Sequence, residues 1–256
     1  TVEMVVWFAA IVCARSAVFQ PSQAVDRLRG GQAALEPAAL SRDAIIEKLN
    51  AVPTFCICDA AGKMVPMADE EVSEVCCFYT DPDMVNELLE TVQLEHPEAG
   101  LHLAVIPLGT AFAACHGWQG TSEVDEDNVP VQSTFMGSLK IQGPRAAHLM
   151  EGQLKSQLAA QNILETTWTL PIFCCDELQA PSIMPIFFSH ADLAALWVQT
   201  GRSKETIPED IAAMDLRVLV AQMQTDAFAW SSINFVPAAG ALTLAQEAQL
   251  RAKAQR

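Results

Sequence analysis

The sequence lacks the short motifs that identify most enzymes and nucleotide-binding proteins. It contains no G-x-G-x-x-G fingerprint, no P-loop, no G-x-S-x-G elbow and no H-E-x-x-H pair. The five histidines show no metal-ligand spacing, and no C-x-x-C pair occurs, so a structural zinc site has no support. We therefore predict a protein that is not an enzyme, with no catalytic residues, no metal site and no cofactor.

Positive charge is also scarce. The chain carries 15 Lys and Arg residues against 31 Asp and Glu residues, which gives a formal net charge of −16 at pH 7. A surface with this excess of negative charge repels phosphate backbones. The composition therefore argues against a nucleic-acid partner.

The apolar run near the start, Met4–Ala14, is shorter than the roughly 20 residues that span a bilayer. Its length suits the apolar core of a secretory leader, and the small residues before Phe19 resemble the cleavage region of leaders that direct proteins into secondary plastids of algae. The alternative is a retained segment that is buried or peripherally associated with a membrane. Residues 1–40 are thus interpreted as a leader or transit remnant, or as a docking arm.

Apolar residues, by contrast, are abundant. They make up 51% of the 256 residues, and the mean hydropathy is +0.21. A chain of this length buries roughly three quarters of its unfolded surface, which predicts a substantial core.

Cysteine contributes to this apolar content, because buried Cys behaves as a small hydrophobe. Cys56 and Cys58 share one face of a predicted strand, and Cys115 adjoins His116. A metal or redox site and a thiol enzyme are therefore alternatives to simple packing. We predict packing and leave the disulfide state open. The eight cysteines are Cys13, Cys56, Cys58, Cys76, Cys77, Cys115, Cys174 and Cys175.

One pattern occurs twice in the chain. Leu170–Val198 has the order strand, turn, strand, helix, with Ser189 placed as the helix N-cap. Val52–Cys58 and Val75–Tyr79 repeat the two strands, and Thr80–Asp83 repeats the helix start. Two copies at a long separation indicate an internal duplication.

A further strand and a short helix follow in each copy. We predict an α+β fold, a pseudo-twofold duplication of a strand–strand–helix–strand–helix unit, with a mixed or antiparallel sheet and packed helices. The expected domain covers residues 41–237, with halves at about 41–118 and 132–237 and an acidic loop at 119–131. A C-terminal helix is expected within 238–256.

Aromatic and methionine side chains on these strands are the candidate binding residues. If helices leave a sheet face open, they form an apolar groove that binds varied apolar segments. If helices cover both faces of the sheets, the same residues belong to the core, and we keep this alternative. The candidates are Phe55, Phe78, Phe173, Met184, Phe187 and Phe188.

The order of several short segments resembles the Tic-twenty-two-like family, the intermembrane-space component of the chloroplast inner-envelope import machinery. The motifs are short and apolar, but they span most of the chain from Ser41 to Pro237. The segments that carry the resemblance are Ile46–Phe55, Phe78–Asp83, Met184–Ser189, Asp215–Val220 and Phe235–Pro237.

The resemblance implies a non-catalytic plastid protein that acts like a chaperone for incoming precursor proteins, in the envelope intermembrane space. A scaffold subunit of a thylakoid photosystem–antenna complex is the alternative, and a thiol enzyme is a second one. Protein partners are expected in the first two cases, with peripheral membrane association through Met4–Ala14 where that run is retained.

Overall fold

The computed structural model describes residues 36–68, 74–118, 138–163, 168–180, 182–208 and 211–254. The Met4–Ala14 run and the acidic loop at 119–131 lie outside these residues and stay predictions. The helices are α1 (Arg42–Leu49), α2 (Pro82–Glu95), α3 (Leu108–Ala114), α4 (Glu151–Ala160), α5 (His190–Gln199), α6 (Leu216–Met223) and α7 (Ala241–Ala254). The strands are β1 (Pro53–Cys58), β2 (Val75–Tyr79), β3 (His102–Pro107), β4 (Ser138–Gln142), β5 (Pro171–Cys174), β6 (Met184–Phe187), β7 (Ala212–Asp215) and β8 (Ile233–Val236).

The strands form two four-stranded sheets with the same topology. Sheet 1 has the order β3-β1-β2-β4, and sheet 2 has the order β7-β5-β6-β8. In each sheet the first two pairings are antiparallel and the last, β2 with β4 or β6 with β8, is parallel. Phe55 lies opposite Tyr79 in sheet 1, as Phe173 lies opposite Phe187 in sheet 2. The predicted α+β class is confirmed, and the two similar sheets agree with the internal duplication.

The parallel strand closes each half. β4 pairs with β2 from Val75 opposite Ser138 to Tyr79 opposite Gln142, so it belongs to sheet 1. The sequence interpretation instead placed this segment in the half at 132–237. Chain order does not reveal the pairing, because a parallel strand is reached by a crossover and its partner lies well before it in the chain.

Side chains cap the helices where the sequence predicts helix starts. Ser189 Oγ accepts a hydrogen bond from the Asp192 amide at 3.2 Å, and Asp81 accepts bonds from the Asp83 and Met84 amides. Each bond satisfies a backbone donor that the first helical turn leaves free. These caps fix where α5 and α2 leave their sheets.

The elements stack in layers around one central core. The inward faces of both sheets meet α1, α3 and α6, which contribute Leu49, Phe112 and Leu219 among others to one cluster of buried side chains. Helix α2 and helix α7 cover the outer face of sheet 1, and α5 covers the outer face of sheet 2. No helix of the described residues is long and apolar enough to cross a membrane.

The last helix of each half packs on the other half. Helix α4 follows β4 in the chain, yet it packs against β7 and α6. Helix α7 follows β8, yet it packs against β1 and β3. The outer face of sheet 1 is therefore built from both halves, whereas in sheet 2 the first half contributes α4 beside β7.

Candidate interaction surfaces

Five of the six candidate binding residues lie in the core. Phe78, Met184 and Phe188 are 5%, 7% and 1% exposed and belong to the central cluster. Phe55 and Phe187 are 0% and 1% exposed, and they lie beneath helices on the outer faces of sheets 1 and 2. Phe173 is the one member of this set that is partly exposed. Helices cover the sheet faces that carry the other five. These five therefore belong to the core, which is the alternative given for them in the sequence analysis.

Phe55 and Phe173 occupy equivalent positions with different cover. Over Phe55, α2 and α7 close the outer face of sheet 1, and α7 contributes Leu244 and Ala248. Around Phe173, α5 is the covering helix, and the equivalent of α7 is absent among the described residues. The Phe173 ring meets His190 edge to face at a centroid distance of 6.2 Å. A partly exposed apolar surface therefore remains around Phe173 on sheet 2.

Sheet 2 has side chains bound along both of its edges. On β7, Gln157 Nε2 donates to the Ala213 carbonyl at 3.0 Å, and the Asp215 amide donates to Gln157 Oε1 at 3.2 Å. At the start of β8, Lys48 Nζ donates to the carbonyl of Ile233 at 3.0 Å and to that of Ser231, just before the strand, at 2.9 Å. Unpaired edge strands are templates for another chain, and such contacts block them.

A cavity of about 130 Å³ lies beside β3, between α2 and α7. Its walls are mainly apolar, with a glutamine, a histidine and an arginine among the lining residues. Gln93 is held in place because its Nε2 donates to the Leu101 carbonyl at 2.8 Å. Other lining side chains include Leu89, Leu101, Leu103, Ala248, Arg251 and Ala252.

The described cysteines are buried, unbridged thiols. The sulfurs of Cys56 and Cys58 are 3.8 Å apart, and this hydrogen bond, with burial, raises the pKa of Cys56 above its usual range. Burial likewise raises the pKa of Cys115, and it raises that of Cys174 to about 12. A thiol must ionise to act as a nucleophile or a metal ligand, and the environments of Cys56, Cys115 and Cys174 oppose ionisation. The hydrogen bond from Cys56 lowers the pKa of the buried Cys58.

Metal-binding geometry is also missing from the part of the chain that the structure describes. No group of three or more His, Cys, Asp or Glu side chains there is placed to hold an ion. Cys115 and His116 do not act together, since Cys115 is buried and His116 is exposed with a φ of 55°.

A buried ion pair at the start of α6 is the polar feature that sequence reasoning missed. Asp215 and Arg217 are both 0% exposed, and the Arg217 guanidinium lies 5.0 Å from the centroid of the Trp168 ring. Asp215 accepts hydrogen bonds from the amides of Leu170 and Arg217 at 3.0 and 2.9 Å. Burial raises the pKa of Asp215, and the charge of Arg217 opposes that rise. The pair joins β5, β7 and α6 inside the core, away from solvent and any ligand.

Comparison with known proteins identifies the fold. No protein-family model and no curated protein matches the sequence. The structure of Tic22 from Anabaena, a protein-transport protein, is 14% identical and superposes with a TM-score of 0.50 over 81% of this chain and 97% of that chain. Tic22 from Plasmodium falciparum is 17% identical, with a TM-score of 0.48 over 81% of this chain and 98% of that chain. The fold is Tic22-like, and the resemblance seen in the sequence is confirmed at this level.

Proposed function

We propose that this protein binds precursor polypeptides in transit at the plastid envelope, in the intermembrane space, without catalysing a reaction on them. The observation that carries the proposal is the shared fold, which extends over 97% of Anabaena Tic22, a protein-transport protein. Among the described residues the cysteines are buried, and no group of three or more His, Cys, Asp or Glu side chains is placed to hold a metal ion.

The charge of the protein suits such ligands. Plastid transit peptides are rich in Arg and poor in acidic residues, whereas this chain has a net charge of −16. Opposite charges speed the encounter of two partners and fix their orientation more than they hold the complex together. Binding of a precursor should therefore weaken as the salt concentration rises.

Apolar contacts hold the complex in this proposal, and Phe173 is the contact we assign among the six candidate residues. Its ring is partly exposed on the outer face of sheet 2, with the half-buried Ile211 in the same cluster. Complete burial of an exposed Phe side chain contributes about 1.5–3 kcal/mol, and contact with a ligand buries only the remaining exposed part of Phe173. A charge placed there must also lose its water on binding, so that its introduction should change the affinity roughly tenfold.

The test is the affinity of the full chain for a chemically unfolded precursor that carries its transit peptide, measured by fluorescence anisotropy. Phe173→Asp should weaken binding about tenfold with the fold retained, because the charge removes the apolar contact. Leu149→Asp is the matched control, since Leu149 is 79% exposed and lies outside the three large core clusters. It should bind like the parent protein.

Absence of any precursor binding by the parent protein would contradict the proposed function. Equal binding by the Phe173→Asp variant would keep the function and reject the assigned contact. Stoichiometric co-migration of the chain with a thylakoid pigment–protein complex on native gels would instead favour the scaffold alternative, which depends on the C-terminal helix and on the Met4–Ala14 run outside the described residues.

A further inference from the structure

The outer edge of β3 differs from the edges of sheet 2. The Leu108 amide donates to the Val52 carbonyl at 2.9 Å, which fixes the hydrogen-bonding phase between β1 and β3. In an antiparallel pair, bonded and non-bonded residue pairs alternate. Ala104 and Ile106 are therefore bonded to β1, while the amide and carbonyl groups of Leu103 and Val105 point away from it.

Those outward groups have no hydrogen-bond partner among the described residues. On β7, Ala213 is the equivalent of Val105, and its carbonyl is occupied because it accepts a hydrogen bond from Gln157, which also accepts one from the Asp215 amide. On β3 the position equivalent to Asp215 is Pro107, which has no amide hydrogen. Pro107 limits the edge at one end and Gln93, bonded to the Leu101 carbonyl, limits it at the other, and between them the donors and acceptors of Leu103 and Val105 have no partner in the described part of the chain.

We propose that the outer edge of β3 binds an extended apolar segment of a polypeptide as an added strand of sheet 1. In this mode, main-chain hydrogen bonds supply affinity and side-chain pockets supply selectivity. The inference rests on the proposed function, since the ligand is a polypeptide in transit.

The cavity beside β3 supplies such a pocket. Residues that pair across neighbouring strands point their side chains to the same face of the sheet. Leu103 lines the cavity, so a residue of an added strand opposite Leu103 places its side chain at the cavity mouth. The volume of about 130 Å³ is close to the roughly 150 Å³ of an apolar cavity that binds benzene. The cavity therefore takes one apolar side chain.

Amide hydrogen exchange of the parent protein tests the proposal without any substitution. The probe is a short peptide that alternates leucine with threonine, added to saturation while exchange is followed by NMR. Exchange at Leu103 and Val105 should slow, because both amides gain partners. Ala104 and Ile106 are internal controls, since their amides are already bonded to β1 and should change little.

Substitutions provide a second test, with peptide affinity measured by fluorescence anisotropy. Val105→Pro removes one outward donor and leaves the β1 ladder intact, and it should raise the Kd roughly tenfold. Val105→Ala retains the donor and controls for lost packing. Ala252→Phe, at an exposed position of the cavity wall, should weaken binding by filling the cavity, whereas Gln249→Phe on an exposed position of α7 should not.

Peptide binding without slower exchange at Leu103 and Val105 would overturn this inference and leave the proposed function standing. Unchanged affinity in both the Val105→Pro and the Ala252→Phe variants would overturn it as well. If neither this peptide nor an unfolded precursor binds the parent protein, the inference and the proposed function both fail.

Discussion

The two halves of the molecule share a topology but differ at their surfaces. The inward faces of both sheets are covered, because their side chains pack together in the central core. The outer faces and edges differ within the described residues: α7 covers Phe55 while α5 alone covers the cluster around Phe173, and Gln157 bonds the edge of β7 while the outward groups of Leu103 and Val105 on β3 have no partner there. The two halves are therefore alike where packing fixes the side chains, and they differ at the surfaces to which we propose that a partner binds.

The same divergence occurs where the third strand of each half runs into a helix. In the first half Pro107-Leu108-Gly109 begins α3, and in the second half Asp215-Leu216-Arg217 begins α6. A Cβ at Gly109 would lie 2.7 Å from the Ile46 carbonyl of α1, so no larger residue fits there. At the equivalent position, the guanidinium of Arg217 lies over the Trp168 ring and forms an ion pair with Asp215.

The largest expected effect is on the stability of the molecule, through the second junction, where β7 runs into α6 at Asp215-Leu216-Arg217. Asp215→Ala should lower the free energy of unfolding by about 3–5 kcal/mol, because Arg217 would stay buried without its carboxylate. Urea denaturation followed by tryptophan fluorescence measures the change. Asp81→Ala is the matched control, since Asp81 also caps a helix but has no buried arginine, and it should cost about 1 kcal/mol.

If Asp215→Ala costs no more than Asp81→Ala, the buried pair is not what stabilises the second junction. The double variant Asp215→Ala with Arg217→Met should recover part of the loss, because it removes the unpaired charge and retains apolar volume.

A smaller loss of stability is expected at the first junction, where β3 runs into α3 at Pro107-Leu108-Gly109. Gly109→Ala should cost about 1–3 kcal/mol, because the added methyl group would approach both the Ile46 carbonyl and Asn50 Oδ1, the latter at 2.6 Å. Gly152→Ala in α4 is the control, since a Cβ there meets no atom within 4 Å. It should be neutral or stabilise by up to about 1 kcal/mol through helix propensity. Similar unfolding midpoints for the two variants would contradict the close contact of α1 with α3.

The smallest effect on stability, but an informative one, is expected from opening the β7 edge. Gln157→Leu should cost about 1–2 kcal/mol through the loss of two hydrogen bonds. It should also give the protein a second binding site for the leucine–threonine peptide, seen as a change in stoichiometry by calorimetry. Gln153→Leu, on the same helix, is the control. An unchanged stoichiometry in the Gln157→Leu variant would show that an open edge alone is insufficient for binding.

Much of the fold follows from local patterns in the sequence. The strand–strand–helix order, the cap at Ser189 and the helix start within Thr80–Asp83 depend on neighbouring residues, and they are predicted correctly, although the cap itself is Asp81. The pairing of β4 with β2 was missed, because it depends on a contact between distant parts of the chain.

The candidate binding residues show the same limit, because their exposure also depends on contacts between distant parts of the chain. Phe55 and Phe173 have equivalent neighbours in sequence, yet one is fully buried and the other is partly exposed. The difference comes from α7, which starts far along the chain at Ala241 and returns to the first half. The Asp215–Arg217 pair escaped prediction for a related reason, because charged residues are almost never fully buried unless they are paired, and pairing is a tertiary property.

The packing of α7 on the first half has a consequence for the chain before its synthesis is complete. While the protein is being synthesised, or drawn through a membrane with its N-terminus leading, the first half emerges without the helix that covers Phe55 and Leu103. That apolar face is covered by α2 alone until Ala241–Ala254 arrives, which leaves exposed apolar surface on a species that aggregates or recruits a chaperone. A protein that we propose to protect other polypeptides in transit would thus need protection itself until its last helix has docked.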